Sequence, residues 1–339
     1  MYHKFAPWLL AAGLVIQASA QADDNHQQLQ QEFLASQEQQ GFSQQQTLDF
    51  IGQAQFNQQA LDAISRPWEA KPWHEYFPIF LTEKRLQAGV NFWQQHASII
   101  DKASKEFGVE PQIIVAIIGI ETFYGQYMGK YPVRDALFTL GFYYPPRADF
   151  FRKEFGQLQL LLKEEQLDAN NLFGSYAGAM GFGQFIPSSY RNFAVDFDGD
   201  GKRDLLTSPS DAIASVANYF HQHGWQADAD VVLPLQALVN GKAIDKPQPG
   251  AATTIAPWAG EALSLTVADI LSPTLALKHS KDIDVSQQAL LIELAQPEMT
   301  EYWLGLNNFY VITRYNRSPL YAMAVYQFSE QLKHAYQKN

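Results

Sequence analysis

A lone carboxylate, Glu121, closes the apolar run Ile113-Ile114-Val115-Ala116-Ile117-Ile118-Gly119-Ile120 and is followed at once by Thr122-Phe123-Tyr124-Gly125. An ionised carboxylate in such surroundings is costly unless something pairs with it. Burial raises its pKa and favours the protonated acid. In that state a carboxyl can protonate a leaving sugar oxygen, and apolar surroundings can hold such a Glu near a pKa of roughly 6. Glu121 is therefore the candidate catalytic acid. The alternative, from this segment alone, is a side chain that reaches past the helix end into water.

A second stretch, Gly174-Ser175-Tyr176-Ala177-Gly178-Ala179-Met180-Gly181-Phe182-Gly183-Gln184-Phe185-Ile186-Pro187-Ser188-Ser189-Tyr190, sets glycines among polar and aromatic residues. Backbone turns of this kind let an extended ligand approach closely. Gln184 and Ser175 are candidates to hydrogen-bond the acetamido or hydroxyl groups of a sugar, and a plain turn cluster is the alternative. A phosphate loop is excluded by the missing Gly-Lys-Ser/Thr ending.

Asp196-Phe197-Asp198-Gly199-Asp200-Gly201-Lys202 reproduces the first half of a calcium loop, with carboxylates at positions 1, 3 and 5, Gly at 6 and the Lys202 carbonyl at 7. Position 12 is Thr207, where a bidentate Glu would sit. Asp204 has the spacing of position 9, but Asp211, at the start of the next helix, is the expected closing ligand. The competing description is a solvated acidic turn. A bound Ca2+ here would be structural.

Other polar residues have simpler explanations. Asp135 and Asp149 each precede an apolar run and are expected to cap helices. His221 and His223 would not share a helical face, and no Cys completes a zinc site. Arg147, Arg191, Arg314 and Arg317 are the candidate cations for anionic ligand groups.

The elements that must position these residues are mostly helical. Residues 27–59 are rich in Gln, yet Phe33, Leu34, Phe42, Leu48, Ile51, Phe56 and Leu61 recur near helical spacing. Gly41 and Ser43-x-x-Gln46 read as a helix stop and a capping box, giving an ordered helical pair. Pro67, Pro72 and Pro78 break the following stretch. Helices are predicted at Glu83 to His96, Ala97 to Phe107, 149–164, Asp211 to His221 and Leu320 to Tyr336. After Trp225 the alternating stretches 231–239, 289–294, 301–305 and 309–315 predict a small β-rich subdomain.

The 339 residues suffice for two units or one elaborated domain. Residues 1–20 read as a secretory signal, with Lys4, the apolar Trp8 to Ile16 and the small-residue site Ala18-Ser19-Ala20. The apolar stretch falls short of the about 20 residues of a membrane span, so export, cleavage and a soluble periplasmic protein are expected. The absence of Cys excludes disulfides, thiolate metal sites and an acylated N-terminal Cys anchor. Formal charge is −11, and loss of Lys4 with the signal leaves −12. That argues against nucleic acid or an anionic membrane as general partners. The 23 Phe, 16 Tyr and 7 Trp suit sugar-stacking platforms as well as cores and interfaces.

Glu121-Thr122-Phe123-Tyr124-Gly125, the Gly-Ser-Tyr-Ala-Gly-Ala-Met-Gly stretch, Gln184 to Tyr190 and Ile312-Thr313-Arg314-Tyr315-Asn316 resemble the lytic murein transglycosylase B family, collinearly from about Phe33 to His334. The resemblance implies an α+β, mainly α fold with a lysozyme-like helical core, a helical subdomain and a small β-rich subdomain. After the signal read at 1–20, the chain is expected to divide into a helical subdomain over 21–95, a catalytic core with the calcium loop over 96–225, a β-rich subdomain and groove segment over 226–318, and a C-terminal helix over 319–339. The resemblance also implies that Glu121 is the sole catalytic carboxylate, acting as acid and then base. Arg147, Ser175, Gln184, Tyr219, Tyr315, Asn316 and Tyr321 would line the glycan groove. Two departures are visible: Gly183 stands where the family usually has Pro, and Pro146-Arg147 where it has Arg-Arg.

Ordinary glycosidases use two carboxylates. A lytic transglycosylase dispenses with the second because the muramic acid C6 hydroxyl attacks its own anomeric carbon, leaving a 1,6-anhydro end. Intramolecular attack gains effective molarities of about 10⁵ M or more. The expected activity is cleavage of the β-1,4 bond between MurNAc and GlcNAc in peptidoglycan by a carbon–oxygen lyase. Glycan strands are the expected partner, with cell-wall synthesis proteins as further partners, and a monomer is expected. A hydrolytic muramidase, and a calcium-dependent peptidoglycan-binding protein without turnover, are the alternatives.

Overall fold

A computed structural model describes residues 27–66, 71–250, 253 and 256–338. The signal assigned to residues 1–20 lies outside them. In chain order the helices and strands are α1 over 27–39, then α2 (Gln44–Gly52), α3 (Gln58–Ile64), α4 (Trp73–Phe80), α5 (Glu83–Gln95), α6 (Ala97–Phe107), α7 (Pro111–Thr122), β1 (Tyr131–Pro132), α8 (Val133–Tyr143), α9 (Ala148–Glu164), β2 (Phe173–Gly174), α10 (Pro187–Phe193) and α11 (Pro209–Gln222). The remainder is β3 (Val232–Val239), β4 (Lys242–Ala243), β5 (Leu265–Thr266), α12 (Val267–Ile270), β6 (Leu275–Leu277), β7 (Gln288–Ala295), β8 (Thr300–Gly305), α13 (Asn307–Tyr315) and α14 (Pro319–Gln337). No helix among the described residues is long and apolar enough to cross a membrane.

The chain folds into two compact units, each made of stretches distant in sequence. This partition differs from the linear division given above because helices that pack together are far apart along the chain. Of the described residues, the first unit comprises those from 27 to 65, Gly129–Ala179 and Ile186–Arg191. Its Gln-rich beginning is ordered: Ser43 Oγ accepts the Gln46 N–H at 3.2 Å while Gln46 Oε1 accepts the Ser43 N–H at 2.8 Å. The two exchanged bonds satisfy donors that a helix start leaves open. The core is aromatic, with Phe50 stacked on Phe155 at 4.5 Å and Phe33 edge-on to Phe142 at 6.0 Å. Leu48 and Phe56, expected on the apolar face, are exposed.

Two capping assignments in this unit are corrected. Asp135 lies in the first turn of α8, whose cap position is Pro132 with no side-chain cap bond. The Asp135 carboxylate instead accepts the Gln55 N–H at 3.0 Å, pinning the loop after α2. Asp149 sits inside the first turn of α9 and pairs with Arg152. Both acids still lie where a helix dipole favours negative charge.

The second unit comprises the described residues within Arg66–Met128, Met180–Phe185 and the chain from Asn192. Helix α7 packs against α14, α5 and α11, which explains why its residues are apolar on every side. An antiparallel sheet runs in the order β4-β3-β8-β7-β5, with β6 paired to β3. Leu235, Ala237, Leu291, Tyr302 and Leu304 fill one face of it against Val267 and Ile270. The stretch 309–315, predicted as a strand, is helix α13. Its β-branched Val311, Ile312 and Thr313 suggest a strand, but the buried Phe309, Ile312 and Thr313 follow the i, i+3, i+4 spacing of a helix. Likewise Pro78 does not prevent α4, which carries it and buries Trp73 and Tyr76.

Candidate active site

Glu121 is the penultimate residue of α7, and the helix stops immediately behind it. Phe123, Tyr124 and Gly125 take φ values of 52°, 60° and 84°. The Phe123 N–H bonds the Gly119 carbonyl at 3.1 Å and the Tyr124 N–H bonds the Ile118 carbonyl at 3.3 Å. This is a left-handed helix stop made largely by residues other than Gly, a backbone that persists only when its surroundings impose it. Gly125 admits the Phe182 ring, which a Cβ there would meet at 2.3 Å.

Burial pushes the Glu121 carboxyl up to about 7, against the opposing effect of the Tyr321 hydroxyl, which donates to Oε1 at 2.5 Å. The last turn of a helix, with its partial negative charge, also disfavours the carboxylate. Tyr321 reaches this position because Ser318 caps α14, accepting the Tyr321 N–H at 3.3 Å, with Pro319 at the first helical position. Burial, with Glu121 and Tyr315 close by, holds the Tyr321 phenol far above its usual range, so it is a donor at all working pH values.

Tyr315 ends α13 and donates to the Gly183 carbonyl at 2.5 Å. A Cβ at 183 would meet that hydroxyl at 2.8 Å, so a larger residue there would have to displace the phenol end. Tyr219 donates to the Arg314 carbonyl at 2.6 Å and packs edge-on to Tyr315, with burial pushing its phenol up to about 12. Gln184, at φ 51°, donates its amide N–H groups to the Met128 and Gly181 carbonyls at 3.1 and 3.0 Å. Its Oε1 is the remaining polar atom, an acceptor. Asn316 is exposed, and its Oδ1 accepts the Ser318 N–H at 3.2 Å. Thr122, which sequence reasoning passed over, is buried, with Oγ1 2.9 Å from the Phe182 carbonyl. Its only sequence signal is its place in the motif that follows Glu121.

Glu121, Gln184, Tyr219, Tyr315, Asn316 and Tyr321 all belong to the second unit; Ser175 and Arg147 belong to the first. Ser175 Oγ accepts the Ala177 and Ala179 N–H groups at 3.3 and 3.1 Å, which leaves its proton to donate. Arg147 is exposed and lies over the Phe150 ring at 4.3 Å. Arg191, one of the candidate cations, is committed to Glu164 at 2.6 Å. Arg314 lies over the Tyr310 ring at 4.5 Å. His221 and His223 each contact a backbone carbonyl, of Phe107 and Tyr219 respectively.

Carboxylate oxygens of Asp196, Asp198 and Asp211 lie within 4.8 Å of one another. Ser208 caps α11 and places Asp211 in its first turn, where the buried carboxylate accepts the Phe197 N–H at 2.9 Å and the Asp204 N–H at 2.8 Å. Burial raises the Asp211 pKa despite these bonds, and Asp198 adds to it. An all-oxygen set with a buried carboxylate crowded by a second one fits a hard cation. Asp200 stands outside this group and accepts the Lys202 N–H at 2.8 Å; Asp204 accepts the Leu206 and Thr207 N–H groups.

The transglycosylase SLT domain family model matches residues 25–330. Over 304 residues the chain is 42% identical to the membrane-bound lytic murein transglycosylase B of Escherichia coli (strain K12), covering 86% of this chain and 78% of that protein. The crystal structure of soluble lytic transglycosylase SltB1 from Pseudomonas aeruginosa matches with a TM-score of 0.80 at 43% identity, over 91% of this chain and 99% of that one. An Escherichia coli lytic transglycosylase solved in complex with calcium matches with a TM-score of 0.77 at 38% identity, over 92% and 94% of the two chains. The expected mainly α, lysozyme-like architecture with a small sheet is borne out by these similarities. On the strength of both the domain match and the identity to its relatives, the chain belongs to the lytic murein transglycosylase B family.

Proposed function

We propose that this peptidoglycan lytic transglycosylase works through Glu121 alone, first as acid and then as base, at the β-1,4 bond between MurNAc and GlcNAc. The proton of Glu121 passes to the leaving GlcNAc oxygen as the bond from that oxygen to the muramic C1 breaks. The resulting carboxylate then takes the proton of the muramic C6 hydroxyl as O6 bonds to C1. The 1,6-anhydro end forms, Glu121 is returned protonated, and no water is consumed. The observation that carries this reading is the raised pKa of a carboxyl whose hydrogen-bond donor is the Tyr321 phenol. A group titrating near 7 can both give and take a proton at neutral pH.

Gln184 Oε1 is suited to accept a hydroxyl or acetamido N–H, and the Ser175 hydroxyl to donate. Tyr315 and Asn316 are assigned to the glycan as well. Tyr219, whose hydroxyl is spent on Arg314, supports Tyr315 from behind. Arg147 is assigned to stem-peptide carboxylates on family resemblance. Asp196, Asp198 and Asp211, with Asp200 and the Lys202 carbonyl as the further expected ligands, would hold a structural Ca2+, as a relative solved with calcium supports. Its charge would offset the crowded carboxylates. The same reading divides the chain functionally at 21–95, 96–225, 226–318 and 319–339, and puts it in the periplasm as a soluble protein after loss of residues 1–20, acting on glycan strands and recruited by cell-wall synthesis proteins. Digestion of purified sacculi followed by mass analysis of the ends is the test. Anhydro ends with the wild type and none with Glu121→Gln are expected; reducing ends would mean hydrolysis, and anhydro ends from Glu121→Gln would remove Glu121 from the chemistry.

A further inference from the structure

One hydroxyl joins the end of α7 to the turn that carries Gln184. Thr122 Oγ1 lies 2.9 Å from the Phe182 carbonyl and 3.2 Å from the Ile118 carbonyl, and it accepts the Gly125 N–H at 3.0 Å. A threonine hydroxyl has a single proton. The shorter contact, to Phe182, takes it, and Gly125 fills the acceptor side. Thr122 is 1% exposed, so water does not replace either bond.

The neighbouring carbonyl of the same turn is tied to a different helix, since Gly183 accepts the Tyr315 hydroxyl at 2.5 Å. The Phe182 N–H is held by the Leu205 carbonyl at 3.0 Å. Consecutive carbonyls of residues 182 and 183 thus bond the residue after Glu121 and the residue before Asn316. Gln184 follows directly, in left-handed backbone geometry, with its amide fastened to Met128 and Gly181.

We propose that Thr122 is a positioning residue of the active site, whose hydroxyl fixes the Gly181–Gln184 turn to the helix end bearing Glu121, so that the proton donor and the Gln184 acceptor keep one separation. The proposal rests on Glu121 being the acid. Thr122 itself touches no reacting atom. Thr122→Val keeps the branched shape and removes the hydroxyl, which leaves the Phe182 carbonyl and the Gly125 N–H without it and frees the turn to shift. Displacements of about 1 Å near reacting groups can cost on the order of 10²-fold in rate.

The test compares wild type, Thr122→Val, Thr122→Ser and Thr122→Ala for anhydro-end release from sacculi, with kcat, KM, pH profile and a melting curve for each. Thr122→Val is expected to lose about 30-fold or more in kcat at a temperature where it is folded, and to move the midpoint of its alkaline limb. Thr122→Ser, which retains the hydroxyl, is expected to stay within about threefold of wild type. A Thr122→Val enzyme with wild-type kcat and only a lower melting temperature overturns the proposal, as does a Thr122→Ser enzyme as impaired as Thr122→Val. Thr122→Ala removes the same hydroxyl with less bulk and covers the case in which Thr122→Val does not fold. A wild-type kcat there overturns the proposal as well. An active Glu121→Gln enzyme would instead sink the acid assignment, a separate failure.

Discussion

Glu121 and Asp211 are both carboxylates that burial pushes above the usual range, yet they are furnished in opposite ways. Asp211 accepts backbone N–H groups from Phe197, Asp198 and Asp204. Glu121 is bonded by a single side-chain donor, the Tyr321 phenol. Backbone donors hold a carboxylate rigidly and favour its charged form. A single side-chain donor leaves a carboxyl able to exchange its proton. On the proposed reading the contrast separates an anchor from an acid, even though burial acts on both.

The sharpest way to break this contrast is Glu121→Gln. We expect activity on sacculi to fall by about 10³-fold or more with glycan binding retained. The same variant reports on stability. The folded-state pKa of Glu121 is raised, so its contribution is fully present below the unfolded value and is lost as pH rises through about 7. Glu121→Gln should therefore be more stable than wild type at pH 8, by about 3 kcal/mol, with the difference vanishing near pH 4. Equal curves at both pH values would show that Glu121 is not shielded from solvent.

Asp211→Ala should do the reverse, sparing kcat in the folded enzyme and costing about 3 kcal/mol of stability through unpaired N–H groups at 197 and 204. A loss of kcat without a loss of stability would place Asp211 in the chemistry. Chelation asks the same of the loop. At calcium 100 times its dissociation constant, binding adds about 2.7 kcal/mol, so a chelator should lower the melting temperature of wild type but not of Asp211→Ala. An unmoved wild-type curve counts against the ion.

Tyr321→Phe removes the hydrogen bond that lowers the Glu121 pKa. The carboxyl should then titrate above about 7, and the alkaline limb of kcat/KM should move to higher pH. A limb that moves downward would mean that Tyr321 favours the neutral acid.

Features set by neighbours in the chain were legible from the residues alone. Ser43 and Gln46 announce their helix, Ser208-Pro209 announces α11, and Gly108 ends α6 in left-handed geometry. Each is a hydrogen bond or a backbone preference spanning a few residues. Where a local signal competes with burial it misleads. Asp135 has the look of a cap yet serves Gln55, 80 residues earlier, and the β-branched run at 311–313 folds as helix because the buried face follows helical spacing.

The carboxylate behind the apolar helix, the acidic loop with its glycines, and the order of family motifs are all readable from the residues alone. Only the tertiary structure decided that Tyr321, 200 residues away, donates to Glu121, that the Gln184 amide turns inward, and that Thr122 joins the two segments. The reason is physical. Capping and periodicity are short-range, whereas a pKa and a hydrogen-bond partner depend on which distant segments exclude water from a given atom.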